Sequence, residues 1–203
     1  MAYVRQVGER IHATTPLANR PFQFYIVDDP AVNAFSIPGG HVYINRGLIA
    51  QADKADMLAG VMAHEISHVV ARHVIKQIEQ QQQISLIGSI LLGQNPGALQ
   101  TLLAQVLAGG VMARFSRADE KQADDLGLQY VTAAGYDPHG MLDMFQKLLS
   151  LEQGQPDAVS KFFIDHPLTQ DRIRDIQGRI GGMRSTSGIV DDPEYQAIRR
   201  GLM

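Results

Sequence analysis

His64, Glu65 and His68 stand together in the stretch GVMAHEISHVV, two imidazoles four residues apart with a carboxylate beside the first. On an α-helix, residues i and i+4 share one face, so both rings can turn a nitrogen toward one ion. Glu65 projects about 100° further round. From there its carboxylate reaches a water at that ion without ligating the ion well. This is the pattern of a zinc hydrolase: two histidines hold the metal and the glutamate takes a proton from water. The chain has seven histidines in 203 residues, and shuffling such a composition gives HExxH in only about 1% of cases. The bland alternative is that these are ordinary core or surface residues. It conflicts with the apolar run around them, where unpaired polar groups are costly to bury.

Zinc held by two histidines needs a third protein ligand and keeps one position for water. A metzincin would carry Gly at position 71 and His at position 74; the chain has Ala71 and Val74. His73 falls about half a turn off the ligand face of a continuous helix and reads as structural. The remaining source is a later helix. In SRADEKQADD, Glu120 lies near the helix start and Asp124 follows one turn later on the same face. Glu120 is the candidate third ligand. Asp124 is the candidate acceptor for the free ring N–H of a ligand histidine, His64 for preference. Asp119 reads as a helix cap and Asp125 as part of a solvated face.

The elements that must position these groups follow from pattern. Residues 2–13 read as a short helix and FQFYIVD as a strand. NAFSIPGGHVYIN reads as two strands folded at Pro38-Gly39-Gly40. A long helix, capped by Asp53, is expected from about Asp56 into the Gln80–Gln83 run; its apolar residues cover more than one stripe, so it is buried. Ser116 caps the next helix, with Asp119 at a box-like position and Gly135 at the left-handed stop. Asp137-Pro138 opens another helix to about Leu151. Thr169 caps a further one within DHPLTQDRIRDIQGRI. These elements predict an α+β, mostly helical fold, with a small antiparallel sheet packed on the HExxH helix. Residues 1–182 read as one domain and 183–203 as a C-terminal tail.

Composition narrows the partners. The net charge of −3 argues against nucleic acid and acidic membrane surfaces. The chain has no cysteine, which removes disulfides and thiolate chemistry. No charge occurs from Gln80 to Ala113. The two apolar runs there are each shorter than the ~20 residues a membrane span needs, so 84–113 reads as a helical hairpin insert. It is expected to pack on the core, with membrane-surface contact or self-association as its functional alternatives. The opening MAYVRQVGERI lacks the basic and apolar regions of a secretory leader, so any targeting segment is expected outside these residues.

HEISHVVARH, then SRADEKQADDLG about fifty residues on, preceded by NAFSIPGGHVYINRGL and followed by DHPLTQDRI, resembles the gluzincin-type zinc peptidases grouped with HtpX and the CAAX prenyl protease. The likeness is to the soluble, BepA-like bacterial periplasmic branch, and it covers nearly the whole chain. It implies a zincin-like fold, one zinc ion held by His64, His68 and Glu120, Glu65 as general base, and Asp124 behind a ligand histidine. Membrane members of the family carry transmembrane helices where this chain has only 84–113. The resemblance implies an endopeptidase acting on unfolded or misassembled proteins in the bacterial periplasm or envelope.

Peptide hydrolysis also needs a donor for the oxyanion. The resemblance points to His166 of DHPLTQDRI, which in such relatives can instead approach the metal as a gate. Its bland alternative is to cap the helix beginning at Thr169. Arg172 is a candidate to pair with a site carboxylate or support the oxyanion. Peptidases read an extended backbone, so a strand edge should border the site. The expected edge is His41, Val42, Tyr43, Ile44 and Asn45, with Asn33, Ala34 and Phe35 bordering the cleft. Phe162 and Phe163 read as core. Two other functions compete: a zinc-containing binding or chaperone module with a gated or inactive site, and a metal-dependent hydrolase of a non-peptide substrate.

Overall fold

The computed structural model describes residues 2–80, 97, 100, 101, 115–184 and 186–202. The 84–113 insert lies outside the described residues apart from Gly97, Gln100 and Thr101. Helix α1 (Ala2–His12) buries Val4, Val7 and Ile11, spaced for one helical face. Strands β1 (Gln23–Val27), β2 (Ala34–Ile37) and β3 (His41–Asn45) follow, then α2 (Arg46–Gln51) and α3 (Ala55–Val70). After α3 come α4 (His73–Gln80), α5 (Arg117–Ala133), α6 (His139–Gly154), α7 (Pro156–Asp165), α8 (Gln170–Gly181) and α9 (Pro193–Leu202). Among the described residues, no helix is long and apolar enough to cross a membrane.

The sheet is mixed rather than wholly antiparallel. β2 and β3 form the expected hairpin, Ala34 opposite Ile44 and Ile37 opposite His41. Gly39 and Gly40 make the turn at φ 98° and 85°, backbone that residues with a Cβ rarely adopt. β1 runs parallel to β3, because residues 28–33 cross over before β2 begins. The order is β1-β3-β2. His41–Asn45 is therefore the central strand, with both sets of backbone groups already paired, and cannot be the substrate edge expected for it. The Tyr43 ring is buried, stacked between Tyr25 at 4.8 Å and Phe35 at 4.9 Å.

Helix α3 is the axis of the core. Leu58, Val61, Met62 and Ile66 are fully buried within it. Each such side chain contributes about 1.5–3 kcal/mol on burial, which offsets the cost of carrying His64, Glu65 and His68 in the same helix. The sheet, α1, α5 and α6 pack around it. The crossing with α6 is close enough to require glycine. A Cβ on Gly60 would fall 2.5 Å from Met141 Cα, and one on Gly140 would fall 2.3 Å from the Asp56 carbonyl carbon.

Both ends of α3 depart from expectation. At its start the N-cap is Lys54, with no side-chain cap. Asp53 instead accepts from Lys147 and Arg199, each at 2.7 Å. The N–H groups of the first turn, which lack partners within the helix, are met from afar: Ala55 N donates to Asp191 Oδ1 at 3.2 Å and Asp56 N to Val190 O at 3.1 Å. The residues set apart as a tail thus fold back as an external cap. Tyr195 of α9 is fully buried and donates its hydroxyl to the carbonyls of Ile49 and Ala52. At the other end the long helix breaks. Arg72 takes φ 58°, ending α3, and α4 sets off at His73 in a new direction.

Candidate metal centre

Four ionisable side chains from two helices and a turn converge on one point. α3 supplies His64 and His68, α5 supplies Glu120, and the residue after α7 supplies His166. One donor atom from each lies within 4.8 Å of the others, and all four residues are at most 1% exposed. Nε2 of His64 and His68 are 3.0 Å apart. Glu120 Oε2 is 3.5 Å from the first and Oε1 is 3.4 Å from the second. Zinc binds such donors at about 2.0–2.2 Å in a tetrahedron, which sets them about 3.3 Å from one another. The three donors fit that ion. Two ring nitrogens and a carboxylate buried this close together also form the charge cluster that a cation neutralises.

The fourth corner is taken by His166, whose Nδ1 lies 3.3 Å from His64 Nε2 and 3.1 Å from Glu120 Oε1. Its Nε2 is 3.3 Å from Glu65 Oε1. His166 does not cap the next helix; Thr169 Oγ1 does so, accepting from Arg172 N at 3.3 Å. Glu65 is fully buried, and neither of its oxygens has a hydrogen-bond partner. Burial pushes its carboxyl up from the usual range, against the pull of His166 and His64.

Local sequence explains how α5 presents Glu120. Ser116 and Asp119 form a reciprocal capping box: Asp119 N donates to Ser116 Oγ at 3.1 Å, and Ser116 N to Asp119 Oδ2 at 3.1 Å. Glu120 then points inward, and Asp124 follows one turn on. Asp125 faces outward to Arg179 at 2.8 Å. Asp124 Oδ1 is 3.1 Å from His64 Nδ1. Burial pulls the His64 imidazole down, but Asp124 and Glu120 outweigh it and lift the ring to about 9. Burial pulls His68 well below the usual imidazole range. Glu120 is held well below the carboxylate range; burial raises it, and the His166, His64 and His68 rings more than reverse that.

Arg172 closes the cluster. It is buried and grips Asp124 with two bonds, contacts Glu120 Oε2, and donates to the Pro167 carbonyl at 2.9 Å. Aromatic rings wall the site: Phe115 lies on His68 at 3.9 Å, Phe145 meets His64 edge-on, and Phe162 stacks on His166. Phe162 is core, as its sequence suggests, and Phe163 is half-buried against it.

The structure thus brings His64, Glu65, His68, Glu120, Asp124, His166 and Arg172 together. It leaves the strand His41–Asn45 in the middle of the sheet. Sequence reasoning set His73 off the ligand face as structural; its ring lies 3.0 Å from His68. Only the break at Arg72 brings it there, and an arginine gives no left-handed signal.

The model of Peptidase family M48 matches residues 1–180. A beta-barrel assembly-enhancing protease of Escherichia coli strain K12 is 33% identical over 209 residues, covering 98% of this chain and 43% of that protein. Its namesake in Yersinia pestis is 35% identical over 195 residues, 90% of this chain and 39% of that protein. A mitochondrial metalloendopeptidase OMA1 of Schizosaccharomyces pombe is 32% identical over 176 residues, 86% and 51%. The chain spans about two fifths to half the length of these relatives. With its HExxH helix, its glutamate-bearing partner helix and a family match that runs from one end of the site to the other, the chain belongs to peptidase family M48, a family of zinc-dependent metallopeptidases.

Proposed function

We propose that this protein is a zinc endopeptidase that cleaves extended stretches of unfolded or misassembled proteins in the bacterial envelope. The observation that carries the reading is the spacing of His64 Nε2, His68 Nε2 and Glu120, which suits a tetrahedral ion, beside the buried Glu65 carboxylate. The envelope location and substrate class draw support from bacterial relatives named for enhancing β-barrel assembly.

His64, His68 and Glu120 would hold the ion. When bound, zinc supplies the Lewis acidity that polarises a scissile carbonyl and acidifies water. Glu65 takes the proton of the attacking water and passes it to the leaving amine. Burial raises the proton affinity of that carboxylate. Asp124 holds the His64 ring so that Nε2 faces the other ligands. Arg172 fixes Asp124 and Glu120 in turn. The sheet edge nearest this helix is β2, and an extended substrate would pair there.

His166 is read as a gate. Its Nδ1 stands at the corner where a substrate oxygen would enter, and every site residue is buried. Turning the ring away from Glu120 opens the site. This closed arrangement supports a peptidase whose site is gated rather than permanently open.

The test is cleavage of casein or another unfolded protein by wild type and by Glu65→Gln, with zinc content measured in both. Loss of a general base should lower the rate by about 10²–10⁴ while zinc is retained. Equal cleavage by the two proteins would sink the proposal.

A further inference from the structure

We infer that His73 is a positioning residue for the metal centre: it holds the His68 ring by accepting a hydrogen bond from that ring's Nδ1–H. This rests on the zinc reading above, because a His68 that ligates through Nε2 must carry its proton on Nδ1. That proton needs a buried acceptor. Nδ1 of His73 lies 3.0 Å away, and His73 is 2% exposed. For Nδ1 of His73 to accept, its own proton must sit on Nε2. There it meets Gln122 Oε1 at 3.0 Å and Asp119 Oδ1 at 3.5 Å, both able to accept. The amide oxygen of Gln122 therefore decides the tautomer of His73, and His73 decides that of His68. Each proton in the chain has one place.

The two ligand histidines are thus held differently: His64 faces the carboxylate of Asp124 and His68 the neutral ring of His73. A second carboxylate behind His68 would add negative charge to a buried site that already holds Glu65, Glu120 and Asp124. The backbone is bent to make this arrangement. In a continuous helix His73 would lie about 140° round from His68; the left-handed Arg72 returns it to the ligand face.

The test is zinc affinity of the full chain, by competition with a chelator of known affinity, for wild type, His73→Phe and His73→Asn. The phenylalanine keeps the ring and removes the acceptor; the asparagine keeps an acceptor near Nδ1. We expect the first to bind zinc about 10- to 100-fold more weakly and the second to stay within a few-fold of wild type. Equal binding by His73→Phe, or equal weakening in both variants, overturns the inference and leaves the zinc reading intact. A wild type that takes up no zinc overturns both. A readout free of any variant is long-range ¹H–¹⁵N NMR of the zinc-loaded protein. It should find His73 protonated at Nε2, and a proton on its Nδ1 would overturn the relay.

Discussion

Arg172 holds Asp124 with two parallel bonds, Nε donating to Oδ2 at 2.8 Å and Nη2 to Oδ1 at 2.7 Å, with both residues buried. The same guanidinium touches Glu120 and the Pro167 carbonyl. One planar fork therefore ties the helix that carries the acidic groups to the turn that carries His166. Removing one partner of a buried pair costs about 3–5 kcal/mol, because the other charge is left uncompensated. Arg172→Met should lose about that much stability in urea unfolding, and Arg172→Lys less, since an ammonium keeps the charge but not the fork. A methionine variant as stable as wild type would refute the clamp.

His166 Nδ1 blocks the fourth corner of the donor set, so shortening the side chain should open it. His166→Ala is expected to retain zinc and to cleave a short fluorogenic peptide faster than wild type. A slower enzyme with full zinc content would assign His166 to the oxyanion instead of the gate.

Asp56 sets a pH dependence away from the site. Burial lifts its carboxyl to about 6, despite the Lys54 charge and the Met57 N–H. A carboxyl raised on folding stabilises the protein below its unfolded pKa near 4, and that contribution is lost as pH climbs through 6. The loss is up to ~3 kcal/mol. Asp56→Asn removes it. The stability difference between variant and wild type should therefore grow in the variant's favour from pH 4 to pH 7. A difference that stays flat across that range would show that Asp56 is not buried as described.

Gly60 permits the α3–α6 crossing. Adding one methyl must push Met141 and its backbone outward, and overpacking of this kind costs about 1–3 kcal/mol. Gly60→Ala should lower the melting temperature by about 2–4 °C for each kcal/mol lost. An unchanged melting temperature would mean that the two helices are not in contact there.

Much of this centre was legible from local chemistry. HExxH specifies two donors on one helical face wherever that helix lies, because i and i+4 coincide in any α-helix. Ser116 and Asp119 announce a capping box, and the cap fixes the phase that turns Glu120 and Asp124 inward. Pro38-Gly39-Gly40 and Gly135 encode turns through backbone that other residues rarely adopt. These are interactions within a few residues, and a sequence records them directly.

What tertiary structure decided are the relationships between segments far apart in the chain. β3 became the central strand because a crossover, not a hairpin, led out of β1, and nothing local distinguishes the two outcomes. The first turn of α3 needed no side-chain cap of its own, because Val190 and Asp191 arrive from 130 or so residues away to satisfy it. His73 reached His68 through a left-handed arginine at the end of α3. The ligands were written in the order of the residues. Their supports, Arg172 across from Asp124 and His73 behind His68, exist only once burial forces every remaining proton and lone pair to find a partner.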